Sequence, residues 1–259
     1  MPLSAVNADH GLIVRAGGYK GAEMACAFGE HRAAGVAPLP FPDRAAAGLL
    51  LSARLAATVL AEKAEDKADY PERTVVAALP RGGVAVGQEV ATSLRVPLEV
   101  LVTRKIGHPE ERELGLGAIA EGGDPVFDDE MLARVGLTPA DLAGVVASER
   151  TELERRVLVY RGGRPPPDFK GRVVLVVDDG LATGVTARAA LRAVRASEPA
   201  RTVLAVPVAS VQAVELLKKE TDEVVTLVTP RRFRSVGEWY AEFGQLTDAD
   251  VLTLLAAPR

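Results

Sequence analysis

"VVLVVDDGLATGVT", residues 173–186, decides the fold. Its first five residues are apolar and read as a strand buried on both faces, the kind that parallel sheets use. Two adjacent acids follow, Asp178 and Asp179, and then small and hydroxyl-bearing residues that lead into a helical pattern. A strand, a polar turn and a helix N-terminus in that order place the turn at the carboxyl end of the strand. Open α/β sheets bind their ligands at that edge.

The pattern repeats outward from this stretch. Upstream, "TVVAAL" (74–79) reads as a strand, "VAVGQEVATSLR" (84–95) as a helix and "PLEVLV" (97–102) as a second strand. Downstream, "TARAALRAVRAS" is helical, "RTVLAVPV" a strand, "SVQAVELLKKE" helical and "EVVTLVT" a strand. Alternating β and α with continuous apolar strands predict a Rossmann-like open parallel sheet with helices on both faces. Asp43 is placed to cap a helix over 44–65. Thr138-Pro139-Ala140-Asp141 has the form of a helix start, with Thr as N-cap, and the helix is expected to run to about Tyr160. Its apolar stripe is Leu142, Val146, Leu153, Val157 and Tyr160, and Glu149 falls on the same stripe. "TRKIGHPEERELGLG" (103–117) is polar and glycine-punctuated, and reads as a long loop; "AIAEGGDPVF" holds a short strand. Residues 1–40 have no clear period and read as an N-terminal extension. Residues 41–259 read as one domain, with the segment from residue 230 onward folding back on it.

Bulk properties narrow the function. The chain has 259 residues, 48% hydrophobic, with a formal net charge of −4, so no global positive field draws it to nucleic acid. A single cysteine, Cys26, rules out an internal disulfide framework and a cysteine-rich zinc site. The three histidines are scattered and form no HExxH pattern. No secretory leader and no 18-residue apolar run are visible, so a cytoplasmic protein without a membrane partner is expected.

Three loops at strand ends carry chemistry. In "LPRGG", Gly82 and Gly83 let several N–H groups point at one anion, and Arg81 adds a fork suited to phosphate. Arg104 and Lys105 stand at the root of the next loop. In the opening stretch, Thr183 to Thr186 put amides and two hydroxyls at a helix N-terminus, a monophosphate site. Asp178 and Asp179 would lie beside the ribose of a sugar phosphate, where carboxylates accept bonds from a vicinal diol. The loop lacks the Gly-Lys-Ser/Thr ending of a Walker A motif and is not GxGxxG.

"VVLVVDDGLATGVT" resembles the phosphoribosyl-pyrophosphate (PRPP) motif of the type I phosphoribosyltransferases. "LPRGG" is similar to that family's pyrophosphate loop, which often holds a non-proline cis peptide, and "RKIGHPEERELGLGAIAEGG" resembles its mobile catalytic loop region in position. Together with "VPVAS" and "FRSVGEWYAEFGQLTDADV", these segments resemble a bacterial subgroup over roughly residues 41–255. The resemblance implies the type I phosphoribosyltransferase fold with a small hood and C-terminal subdomain. It implies an enzyme that moves 5-phosphoribose from PRPP to a nucleophile, usually nitrogen, and releases pyrophosphate. Pro80, Arg81, Gly82 and Gly83 would take the pyrophosphate. Gly180, Ala182, Thr183, Gly184, Val185 and Thr186 would surround the 5′-phosphate. Asp178 and Asp179 would hold the hydroxyls and, directly or through water, a Mg²⁺ ion. Arg81, Arg104 and Lys105 would supply cations, and the 106–117 loop would close over the site.

One departure concerns the acceptor. Members acting on hypoxanthine and guanine place an acid where this chain has Ala182. Position 185 is Val, where many members have Gly or Lys. Trp239, Tyr240 and Phe243 read either as core packing or as a stacking platform for a flat acceptor. Glu149 reads as a carboxylate paired with an arginine, with a direct site role as the alternative; Glu113 and His108 read as solvated loop residues or as contacts of the closing loop, His108 then to pyrophosphate. Three alternatives stay open: a PRPP-binding regulator on the same fold that does not turn over, transfer to a non-nucleobase acceptor such as an amine of a specialised metabolite, and an unrelated α/β nucleotide-phosphate hydrolase. An N-terminal arm and a mobile loop are compatible with a homodimer.

Overall fold

The computed structural model describes residues 39–58 and 70–257. The N-terminal extension, save its last two residues, and the later part of the helix expected over 44–65 lie outside the described residues. Five strands form a parallel sheet: β1 (Thr74–Ala78), β2 (Leu98–Val100), β6 (Val173–Val177), β7 (Arg201–Val208) and β8 (Glu223–Val228), in the order β2-β1-β6-β7-β8. The strands are apolar at nearly every position because both faces are covered. Val76, Ala78, Leu175, Val177, Val203 and Ala205 face a core shared with α1 (Arg44–Thr58) and α3 (Gly82–Leu94). Val75, Ala77, Val174, Val176, Leu204 and Val206 face α6 (Val185–Ala196) and α7 (Val211–Leu217). Truncating a fully buried strand residue such as Leu175 to Ala costs about 2–5 kcal/mol.

Helix starts follow the local rules. The Ala46 N–H donates to Asp43 Oδ1 at 2.7 Å, so Asp43 caps α1. The Asp141 carboxylate accepts from both the N–H (2.8 Å) and the hydroxyl (2.6 Å) of Thr138. That start opens as a 3-10 turn at Pro139–Leu142 and continues as α5 (Ala143–Arg161). A short helix α2 (Tyr70–Arg73) precedes β1.

Residues 103–117 are not the long loop that their composition suggests. They form β3 (Thr103–Gly107) and the start of β4 (Gly115–Ala120), antiparallel, and only 108–114 connect them. β5 (Val126–Phe127) completes a three-stranded sheet, and α4 (Asp129–Val135) follows it. The charges and glycines that read as loop signals belong to a hairpin whose other positions, Ile106 and Leu116, are fully buried. This small sheet is the hood. Ala118, Ala120 and Val126 rest on Val185 and Ala189 of α6. The C-terminal segment does fold back: Phe41 N–H donates to the Trp239 carbonyl (2.8 Å), Ala241 N–H to the Phe41 carbonyl (2.7 Å). α8 (Asp248–Ala256) then packs on α3 and α5. Among the described residues no helix is long and apolar enough to cross a membrane.

Candidate functional site

The chain leaves β1 toward β2 on one side and returns to pair β6 on the other, so the sheet has its switch point between β1 and β6. The loops leaving these two strands face each other across it. After β1, the Pro80–Arg81 peptide is cis, and α3 starts at Gly82. After β6 come Asp178 and Asp179. The two loops touch. A β-carbon on Gly82 would sit 1.8 Å from Asp179 Oδ2, and one on Gly83 would meet the Val177 carbonyl at 2.7 Å. Only glycine lets the loop lie this close.

The end of β7 shapes the second half of the acid loop. Leu181 N–H donates to the Val208 carbonyl (2.9 Å), and Ser210 N–H to the Leu181 carbonyl (2.9 Å). The Ser210 hydroxyl donates to the Ala182 carbonyl at 2.6 Å and accepts from Ala213 N–H. Gly184, with φ +79, turns the chain into α6. The first-turn amides of that helix have no intrahelical acceptor, so they and the exposed Thr183 can receive an anion. Val185 is buried under the hood, which accounts for an apolar side chain there. A cleft of about 650 Å³ adjoins this loop, lined by Thr183, Val185, Arg188, Gln212, Phe233 and Asp129 among others.

Asp178 and Asp179 are partly buried, and their electrostatics reflect it. Burial raises the Asp178 carboxyl well above the usual carboxylate range, and the neighbouring Asp179 charge raises it further. Burial also raises Asp179, against the opposing pull of Arg44. Arg44 Nε donates to Asp179 Oδ2 at 2.7 Å. Sequence reasoning missed Arg44. Its one local signal is the position immediately after the cap, Asp43.

The other expected residues are placed as follows. Arg81 is about one-third exposed and lies 4.0 Å from Asp248. Arg104 is bound to Glu149 of α5 at 2.6 Å, the arginine pairing expected for Glu149. Lys105 Nζ donates to the Glu113 carbonyl. These contacts hold Arg104 and Lys105 within the hood and α5, and do not bring them to the acid pair. His108 Nδ1 accepts from the Glu110 and Glu111 amides (3.2 Å each), so it shapes the hairpin turn. Tyr240 packs in the core, the first of its two expected readings. It is 5% exposed, Phe41 and Phe243 flank it at 5.5 and 5.0 Å, and its hydroxyl donates to the Asp179 carbonyl at 2.6 Å. Phe243 carries the Arg44 guanidinium 3.9 Å from its ring centre. Trp239 is half-buried against the main core.

The phosphoribosyl transferase domain family matches residues 47–237, which include both loops. The chain belongs to the phosphoribosyl transferase family. It is 42% identical over 215 residues to a Mycobacterium tuberculosis protein named "Putative phosphoribosyl transferase Rv0571c" (strain H37Rv), and equally to its counterpart in strain CDC 1551. The match covers 83% of this chain and 46% of each relative, so the chain spans about half the length of the curated relatives it matches. A crystal structure of TT1426 from Thermus thermophilus superposes with a TM-score of 0.66 at 42% identity. That superposition covers 83% of this chain and 97% of TT1426. The parallel sheet, its flanking helices and the switch-point loops are therefore those of a phosphoribosyl transferase fold.

Proposed function

We propose that this phosphoribosyl transferase uses PRPP and Mg²⁺, transferring 5-phosphoribose to a nitrogen nucleophile and releasing pyrophosphate. The observation that carries the reading is the contact between the two switch-point loops. An anion-binding glycine turn, a carboxylate pair and a helix N-terminus follow one another over a short span, in the order of pyrophosphate, ribose diol and 5′-phosphate. The amides of Gly82 and Gly83 with Arg81 meet the diphosphate. The Asp178–Asp179 turn receives the ribose hydroxyls. The 182–186 loop holds the 5′-phosphate, so the two phosphate ends are fixed apart and C1 is presented between them. The bond from C1 to the pyrophosphate oxygen breaks with its electron pair going to pyrophosphate. The nucleophile's lone pair bonds to C1. Positive charge on the ring is met by the acid pair, and negative charge on the leaving group by Arg81 and the loop amides. Residues 108–114 of the hairpin close over the site and exclude water.

The residues fit a Mg²⁺ ion. Among the described residues no group of three or more His, Cys, Asp or Glu side chains could hold a metal. Two hard carboxylates beside a diphosphate are the donor set of a cation that arrives with its substrate and keeps waters. The Asp178–Asp179 turn would hold it, and it would supply charge neutralisation to the leaving pyrophosphate. Isothermal calorimetry with PRPP and Mg²⁺ tests the reading: micromolar to millimolar binding is expected, strongly weakened in Asp178→Asn. Absence of binding by the wild type refutes it. Pyrophosphate release across a panel of nucleobases and amines then identifies the acceptor.

Two contacts favour a second reading, binding without turnover. Arg104 is engaged by Glu149, and Arg81 lies beside Asp248. PRPP binding with no pyrophosphate release from any acceptor would select it.

A further inference from the structure

Arg44 is a cation seated on the acid pair that the proposed reaction does not use. Three contacts fix it. Nε donates to Asp179 Oδ2 at 2.7 Å, Nη1 donates to the Gly244 carbonyl at 2.9 Å, and the guanidinium lies 3.9 Å from the Phe243 ring centre. The two paired side chains are 11% and 14% exposed. Asp179 is held from other directions too. Gly82 abuts Oδ2, and the Tyr240 hydroxyl donates to the Asp179 carbonyl. Asp178 is situated differently: its Oδ1 accepts the neighbouring Asp179 N–H at 2.8 Å, a bond within its own turn.

We infer that Arg44 and Asp179 form a fixed ion pair that makes Asp179 a positioning residue and leaves Asp178 as the carboxylate that meets the ligand's diol and cation. This rests on the PRPP reading above and divides the labour within its acid pair. The guanidinium offsets one of two adjacent charges, so the pair presents a single net negative charge to the ligand. The same pair ties three parts of the molecule at one point: the first turn of α1, the glycine turn after β1 and the acid loop after β6. Gly244 and Phe243 add the C-terminal segment. Removing Arg44 leaves a partly buried carboxylate unpaired beside Asp178, and two unpaired carboxylates attract a divalent cation more strongly than one.

The test uses Mn²⁺ as probe, read by electron paramagnetic resonance without and with PRPP, on protein shown to be folded by circular dichroism. Asp178→Asn should weaken Mn²⁺-PRPP binding about tenfold or more, the loss of a hydrogen bond to a charged group. Asp179→Asn and Arg44→Met should each weaken it by a smaller factor, and the double variant by no more than either alone. Arg44→Met should also tighten binding of Mn²⁺ alone severalfold, and Arg44→Lys should restore the wild-type value. A merely structural arginine would not produce that gain. Additive losses, an Asp179→Asn defect as large as that of Asp178→Asn, or unchanged binding of Mn²⁺ alone in Arg44→Met would each overturn the inference. Should Arg44→Met not fold, the cycle of Arg44→Lys with Asp179→Asn decides by the same additivity. Wild-type protein that does not bind PRPP overturns the reading beneath; wild-type binding with additive losses overturns only this division of roles.

Discussion

Gly82 has no room for a single further carbon. A methyl group there would lie 1.8 Å from Asp179 Oδ2, with Arg44 Nε 3.0 Å away on the same side. Neither can retreat cheaply, because each is bonded to the other. Gly82→Ala is therefore expected to weaken PRPP binding by about tenfold or more and to lower stability by about 1–3 kcal/mol. Calorimetry and thermal melts measure the two effects. Asp178 makes the opposite trade. Its folded-state pKa is raised by burial and by Asp179, so folding disfavours its ionised form. That cost is absent at acid pH, where the group is protonated in both states, and grows as pH rises through the ordinary carboxylate range. Asp178→Asn keeps the oxygen that accepts the Asp179 amide and removes the charge. It should melt a few degrees higher than wild type at neutral pH, on the order of 1 kcal/mol, with the gap closing as pH falls below the ordinary carboxylate range.

At the scale of elements, the hairpin and the α5–α8 contact show how charged side chains tie separate pieces together. α5 presents Glu152 to Arg155 (2.7 Å) and Arg156 (2.9 Å), and α8 presents Asp248 to Arg155 (3.1 Å) and the Tyr160 hydroxyl (2.6 Å). Arg155 and Arg156 hold the Glu152 carboxyl down to about 2, and Tyr160 and Arg155 hold Asp248 below its ordinary value. Lowered carboxylate pKa values add stability above the unfolded-state value, and it is lost as pH falls. The docking of α8 through Asp248 should thus weaken as pH falls through and below the ordinary carboxylate range. Melting curves over that range should fall more steeply for wild type than for Glu152→Gln/Asp248→Asn. The hairpin itself was hidden in the sequence. Arg104, Lys105 and the glycines around 115–117 are loop signals taken locally, and only packing on α5 and α6 makes them strands. The helices were legible because their caps are local: Asp43 and Thr138 bond within three residues of themselves.

At the scale of the molecule, one buried arginine joins the hood to the main sheet. Arg161, at the end of α5, donates to Glu121, at the end of β4, at 2.5 Å, and the two side chains are 8% and 15% exposed. The same guanidinium reaches the Val100 carbonyl of β2 at 3.5 Å. Removing one partner strands the other's charge away from water, so Glu121→Ala should cost about 3–5 kcal/mol, read as a lower denaturation midpoint. Replacing both with apolar residues should cost much less. The sequence by itself determined the parallel sheet and both switch-point loops. Strand periodicity, glycine turns and helix starts are written in neighbouring residues, so 80–83 and 178–186 could be recognised as they stand. Only the tertiary structure decided what surrounds the acid pair. Arg44 reaches Asp179 across 135 positions of chain, and Tyr240 reaches it across 61. No local rule relates such positions: they meet because the sheet brings the start of α1 and the C-terminal segment to the edge where the acids emerge. Residues 173–186 thus supply two adjacent carboxylates, and the fold makes them unequal.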